Sequence, residues 1–344
     1  MANSFFKTLT SADRTQSRTL LHESIPITGT LISGTYAQDA SGRELNIKTF
    51  SHGMFQSVYD YPYISSSANH IFDISAGFSS DALSLSSSTT SQRAKKVNIY
   101  NQMAQILVGY DTGSNVRTFD VDGNFAAGGA KHHNTIFLNF SRLLVKDEIK
   151  KGSFTLTLGT GPTFADPFSA TIDVKDTGAA TSYKTNSPAG EYGILKNGST
   201  NVGLIYYQAG IAVLTSSVFG KTSGIDVKDR HHEKHLTGST IDEFSDGIRR
   251  RIQNVSFNNT TELNSTIFFC RANHDEFNYS SNPTYLAGSK IIVKDNEPLN
   301  LPRAYVTTVG LYSPDNELMA VAKVSEPLRK DPTNELTLRV RLDY

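Results

Sequence analysis

The stretch from Arg303 to Tyr344 constrains the fold more than any other part of the chain. It reads as three amphipathic strands. Tyr305, Thr307, Val309 and Leu311 share one face of the first, and Leu318, Ala320, Ala322 and Val324 one face of the second. Leu336, Leu338, Val340 and Leu342 share a face of the third, with Thr337, Arg339, Arg341 and Asp343 opposite. Alternation of period two marks a half-buried strand, because successive side chains point to opposite sheet faces. Ser313-Pro314-Asp315-Asn316 supplies a turn between the first two strands, since proline presets φ and Asp and Asn tolerate turn geometry. A polar and basic connection, Ser325 to Asn334 with Pro327 and Pro332, leads into the third.

Short strands recur through the rest of the chain. Ile25 to Tyr36, Thr135 to Phe140, Ser153 to Leu158, Ala170 to Val174, Glu191 to Leu195, Val202 to Tyr207 and Ile211 to Leu214 fit them, with turns at Gly198 and Gly210. Helices are few. Ile99, Met103, Ile106 and Leu107 lie at helical spacing within Val97 to Val108, and Arg142 to Lys151 fits a short helix closed by Gly152. Ile241, Phe244, Ile248 and Ile252 define another, with Ser239 or Thr240 as its cap, Asp242 and Glu243 in its first turn and Arg249 to Arg251 toward its end. The fold expected is a β-rich α+β one, with β-sandwich-like regions and a few short helices. The divisions expected are an N-terminal arm, 1–24, a β-rich domain with short helices, 25–230, and a second β-rich region, 231–344, ending in the amphipathic meander.

Charge excludes some functions. Lys plus Arg and Asp plus Glu each number 33, so the net charge is zero and nothing pulls the chain toward nucleic acid or an anionic membrane. Zero net charge is unremarkable for a subunit held in an assembly. No apolar run is long enough for a membrane helix, and MANSFFKTLTSADR carries no apolar signal core. Cys270 stands alone, which rules out an intrachain disulfide and suits synthesis in a reducing cytoplasm.

Candidate chemistry is sparse. His231-His232-Glu233-Lys234-His235 is one residue short of the H-E-x-x-H zinc motif. His231 and His235 would share a face of a helix and are weak metal candidates against a solvated or interface loop. Gly220-Lys221-Thr222 lacks the glycine five residues earlier that a phosphate loop needs, and Thr215 stands there. Cys270 sits in the apolar run Ile267-Phe268-Phe269 and reads as a small core residue. No cofactor and no catalytic residue are expected. The residues expected at subunit contacts are Phe55, Tyr59, Tyr61 and Tyr63 of the aromatic stretch 52–63, then Arg249 and Arg250, and Arg339 and Arg341 of the last strand. For 52–63 the alternative is plain core, since aromatics dominate cores as well as interfaces.

Several long phrases resemble one family. They are LHESIPITGT (21–30), HGMFQSVYDYPY (52–63), NHIFDISAGF (69–78), NIYNQMAQILVGYD (98–111), FLNFSRLLVKDEIKKGSF (137–154) and GLYSPDNELMAVAKVSEPLRKDPTNELTLRVRLDY (310–344). They look like virion structural proteins of large contractile-tailed phages, the cyanophage-type myoviruses. The resemblance spans most of the chain and brings no catalytic motif. It implies a non-enzymatic virion component made in the bacterial host cytoplasm, and gives the virion more firmly than a place in it; the place expected is the tail baseplate or neck. Its partners would be other virion proteins, in a homo-oligomer or a ring, with no specific nucleic acid and no membrane insertion. The alternative is a receptor- or glycan-binding module at a tail fibre.

Overall fold

A computed structural model describes residues 6–33, 44–82, 91–126, 128–163, 165–219, 226–227, 230–231, 239–279, 286–287, 290–291 and 301–344. The elements begin with β1 (Arg14–Thr28), α1 (Gly29–Ser33), β2 (Ile47–Thr49), β3 (Gln56–Tyr59), β4 (His70–Phe78), α2 (Ser91–Leu107), β5 (Asn134–Phe140) and α3 (Arg142–Val145). Next come β6 (Glu148–Ile149), β7 (Thr155–Gly159), β8 (Thr171–Lys175), α4 (Ala179–Ser182), β9 (Lys184–Ser187), β10 (Gly190–Asn197), β11 (Thr200–Tyr206) and β12 (Ile211–Thr215). The two-residue strands β13 (Asp226–Val227) and β14 (Arg230–His231) pair, α5 (Ile241–Arg249) leads into the long β15 (Ile252–Ala272), and β16 (Leu286–Ala287) pairs with β17 (Lys290–Ile291). The chain closes with β18 (Ala304–Tyr312), β19 (Leu318–Lys330) and β20 (Leu336–Asp343). This is a β-rich α+β fold with few short helices, as the strand pattern leads one to expect.

The chain divides into a larger unit, Leu20–Thr261, and a smaller one made of Met1–Thr19 with Glu262–Tyr344. The cuts therefore fall at 19/20 and 261/262, whereas the sequence suggests 24/25 and 230/231. The N-terminal stretch is also more than an arm. Thr10 and Asp13 form a capping box around a single 3-10 turn, and Arg14 then opens β1, a strand beside β15.

In the larger unit the strands run in the order β15-β7-β8-β10-β11-β12-β5-β4-β3-β2, with β6 on β15 and β9 on β10. All the ladders whose register is resolved are antiparallel. The central strands are buried on both faces, which explains why TIFLNF, GLIYY and IAVL read as continuous apolar runs with no alternation. Ile136, Leu138 and Phe140 of β5, Ala212 and Leu214 of β12 and Ile205 of β11 enter one core. Phe137, Val213, Leu204 and Tyr206, the residues between them, enter a second. The register supports this, since Leu214 opposes Ile136, Ala212 opposes Leu138 and Val213 opposes Phe137.

The second core is closed by α2 through Ile99, Tyr100, Ala104 and Leu107, with Phe119 beside them. Ile106, at the same helical spacing, points to solvent. Helix and sheet meet at Gly77, where an added Cβ would lie 2.9 Å from both Lys96 O and Tyr100 N. The first core is closed by β7, β15 and α5. Phe140 of β5 meets Phe154 and Phe257, with ring centroids 5.9 and 5.2 Å apart, although β5 and β15 are far apart in strand order. The sheet thus curls so that its own far strands cover one face.

Several expected boundaries move. The strand expected over Ile25 to Tyr36 ends at Thr28, where α1 takes over, and the helix expected from Val97 begins at Ser91. The helix at Arg142 ends at Val145, because Lys146 turns to φ +60 and the Asp147 N–H bonds Thr260 O. The chain then continues as β6 against β15, so Lys150 and Lys151 do not sit in a last helical turn. The strand β19 runs on through Pro327 to Lys330, so the last connection spans only 331–335. Helix α5 does begin as its sequence implies: Glu243 N donates to Thr240 Oγ1 at 3.1 Å, and Thr240 N donates to Glu243 Oε2 at 2.9 Å.

Candidate interaction surfaces

The aromatic stretch divides between core and surface. Val58 of β3 is fully buried, while Phe55 and Tyr59 are half-buried. Phe50, His52 and Phe55 form one ring cluster, with centroids 4.8–5.1 Å apart, and Lys48 Nζ lies 5.0 Å from the Phe50 ring. Tyr59 meets His70 edge-on at 5.5 Å and Tyr63 at 6.3 Å. Tyr61 and Tyr63 are exposed, and Ile64 beside them is 79 % exposed. The loop that presents them is held by Asp60, which accepts from Asn69 N at 2.6 Å and from Asn69 Nδ2 at 2.9 Å. Core and contact readings of 52–63 thus apply to different residues.

Arg249 does not lie on a contact face, which corrects the expectation for it. Its guanidinium is fully buried and donates to Ile32 O at 2.5 Å, Glu44 Oε2 at 2.9 Å and Asp246 Oδ1 at 2.5 Å. The second oxygen of Glu44 accepts from Arg250 at 2.8 Å, and Arg250 is partly exposed. Arg251 is also buried and donates to the carbonyls of Gly159 and Gly161 at 3.0 and 2.9 Å. Arg249 and Arg251 thus hold two segments from inside the unit, and Arg250 reaches Glu44 from its surface. A desolvated charge persists only where partners surround it, and here carboxylates and carbonyls do so.

Other buried ionisable groups serve packing. Lys96, fully buried on α2, donates to Ser239 O at 2.7 Å, and burial pulls its ammonium down to about 8. Burial holds His132 at about 4, against the opposing charge of Asp120. Asp176 accepts from the N–H groups of Gly152 and Phe154 and from Tyr207 Oη at 2.6–3.0 Å, and burial raises its carboxyl above the usual range. Cys270 is half-buried in β15 opposite Leu338, and burial raises its thiol.

The metal candidates His231 and His235 fall outside what can be described. His235 is not among the described residues, and only the backbone of His231 is. Among the described residues no three His, Cys, Asp or Glu side chains gather as a metal site would require. A cavity of about 230 Å³, lined by Gln16, Ser17, Arg18, Asn264, Ser265 and Tyr344, is smaller than an ordinary ligand pocket. No helix among the described residues is long and apolar enough to cross a membrane.

The smaller unit is built differently from the larger. The half of β15 from Ser265 to Ala272 pairs with β20, which alternates as its sequence implies: Leu336, Leu338, Val340 and Leu342 turn inward while Arg339 and Arg341 are exposed. Arg341 Nε bonds Asp343 Oδ1 at 2.7 Å, and its Nη2 donates to Ser265 Oγ at 3.1 Å. Among the described residues, strands β18 and β19 form a ladder of two strands. A bulge at Thr307 shifts the phase of β18. Val306, Val309 and Leu311 therefore share the half-buried face with Leu328, Ala322 and Ala320, and Tyr305 moves to the opposite face from Val309 and Leu311. That outer face carries the cross-strand pairs Tyr305–Arg329, Thr308–Lys323, Gly310–Val321 and Tyr312–Leu318, all exposed. Phe6 stacks edge-on against Tyr312 at 4.8 Å. Among the described residues of this unit, Val340 is the one buried apolar side chain.

No protein-family model matches the chain, and neither a curated protein nor a solved structure shows detectable similarity to it.

Proposed function

We propose that this protein is a structural subunit of a contractile-tailed phage virion, in the tail baseplate or neck, which acts by binding other subunits. The observation that carries this reading is the smaller unit, where among the described residues one apolar side chain is buried while Tyr305, Tyr312, Leu318, Met319 and Val321 are 47–69 % exposed. An isolated two-stranded ladder is marginal in water, and exposed apolar surface of this kind marks a place where another protein sits. The phrase-level resemblance to virion structural proteins over most of the chain supplies the setting. Its partners are then other virion proteins, and its work is assembly rather than turnover.

The test is to purify phage particles carrying a tagged copy and to locate the tag by mass spectrometry and particle imaging. The chain is expected in intact particles, at the tail baseplate or neck. Its absence from washed, infectious particles overturns the reading. Tyr61, Tyr63 and the adjoining Asp60–Asn69 loop favour a second reading, a glycan-binding module at a tail fibre, because sugars stack on exposed rings held by polar neighbours. Under that reading Tyr61→Ala with Tyr63→Ala removes binding to host-surface glycans while particles still assemble.

A further inference from the structure

The two outer edges of the β18–β19 ladder are not alike. From Ala304 to Tyr312, β18 contains no charged residue and no proline. Its partner β19 carries Lys323, Glu326, Pro327, Arg329 and Lys330. Between the pairs Val306–Leu328 and Thr308–Lys323, β19 also spends four residues where β18 spends one. Charges, proline and bulges are the devices that keep a strand edge from pairing with another chain. They guard β19 and leave β18 open. Among the described residues, nothing pairs with the other side of β18.

We infer that the open edge of β18 pairs antiparallel with β18 of a second copy of this chain. The inference rests on the virion-subunit reading and names one partner for it. Charge selects that partner. Antiparallel pairing brings the residue just before one strand beside the turn just after the other. Arg303 precedes β18, and the turn after it, Ser313–Glu317, carries Asp315 and Glu317. Pairing with a second copy therefore sets Arg303 of each protomer beside acids of the other, twice, about a two-fold axis. A chain of zero net charge also raises no repulsion between copies. The product is a four-stranded sheet, which passes the three-strand threshold that the ladder alone does not reach. It also brings the exposed Tyr305 and Tyr312 of both protomers against cross-strand neighbours, where aromatic pairs contribute.

The experiment is sedimentation velocity on the purified full-length chain over a wide concentration range, at low and at high salt. A reversible dimer that weakens with salt is expected. Thr307→Lys places like charges near the middle of the paired edges and should weaken the dimer by about tenfold or more, with the circular dichroism spectrum of the variant matching that of the parent diluted to its monomer. Arg303→Glu should weaken it too. Mixing that variant with an Asp315→Arg/Glu317→Arg chain should restore a heterodimer, which a merely structural role for these residues would not do. A chain that sediments as a monomer throughout, or a Thr307→Lys dimer as tight as the parent, overturns the inference. If such a monomer is still found in particles, the inference falls and the virion-subunit reading stands. If the dimer forms but the chain is absent from particles, the reverse holds.

Discussion

Arg249→Ala offers a direct test of where the triple arginine does its work. The side chain is fully buried, and its guanidinium binds two carboxylates and one carbonyl. Removing it leaves Ile32 O without that donor and deprives Glu44, itself 4 % exposed, of one of its two arginines. Breaking a buried ion pair from one side costs about 3–5 kcal/mol, because the remaining charge stays desolvated. Arg250 still holds Glu44, which places the loss toward the lower end. For a unit of this size each kcal/mol lowers the melting temperature by about 2–4 °C, so a fall of roughly 6–20 °C is expected. The chain has no tryptophan, so far-UV circular dichroism with urea and thermal unfolding is the suitable readout. A double-mutant cycle with Glu44→Ala should return a coupling of about 1–3 kcal/mol. If Arg249 acted at a subunit contact instead, the isolated variant would melt like the parent and only assembly would suffer. A loss below about 1 kcal/mol refutes the buried-network account.

Two further outcomes concern the larger unit. Gly77→Ala pushes a methyl group to 2.9 Å from backbone atoms of α2, so helix and sheet must separate; a loss of about 1–3 kcal/mol in urea unfolding is expected, and an unchanged midpoint contradicts the close approach. His132 has its pKa lowered by burial from 6.5 to about 4, so the unfolded chain binds its proton more readily than the folded one. Its contribution is then complete above pH 6.5 and is lost as pH falls toward 4, by about 2 kcal/mol at pH 5. Comparing His132→Gln with the parent at pH 7 and pH 5 should show the variant's stability falling less, and equal pH slopes refute the assignment.

The parts of this fold that are legible in the sequence are those governed by neighbours along the chain. β20 can be read because one of its faces is covered and the other wet, so Leu336 to Asp343 alternate. The cap of α5 can be read because Thr240 and Glu243 are three residues apart. β5, β11 and β12 are recognisable as strands, but the two-sided burial behind their apolar runs is not, since periodicity alone does not separate a doubly covered strand from a buried helix. The arginines mislead for a related reason. Glu44 lies about two hundred residues before them in the chain, and no local pattern distinguishes a charge with such a partner from a solvated one. The bulge at Thr307 is equally hidden, as it depends on where β19 loops out between Lys323 and Leu328.

The two units answer different physical demands. In the larger one the sheet is covered on both faces, by α2 on one side and by its own curled strands on the other, and the buried ions Arg249, Glu44, Asp120 and Lys96 have partners. Such a unit carries its own hydrophobic driving force. The smaller unit, as far as it is described, holds its strands with ladders and polar contacts, such as Lys7 with Glu276 at 2.6 Å and Lys330 Nζ on Asn278 Oδ1 at 2.6 Å, around a single buried apolar residue. Backbone ladders alone contribute little net stability, because the unfolded chain bonds water instead. Under the assembly reading proposed above, the exposed apolar side chains of β18 and β19 are where a neighbour would sit. Tyr305, Tyr312, Leu318, Met319 and Val321 all lie on β18 and β19, so under that reading the ordering of this unit and its assembly are expected to be one event rather than two.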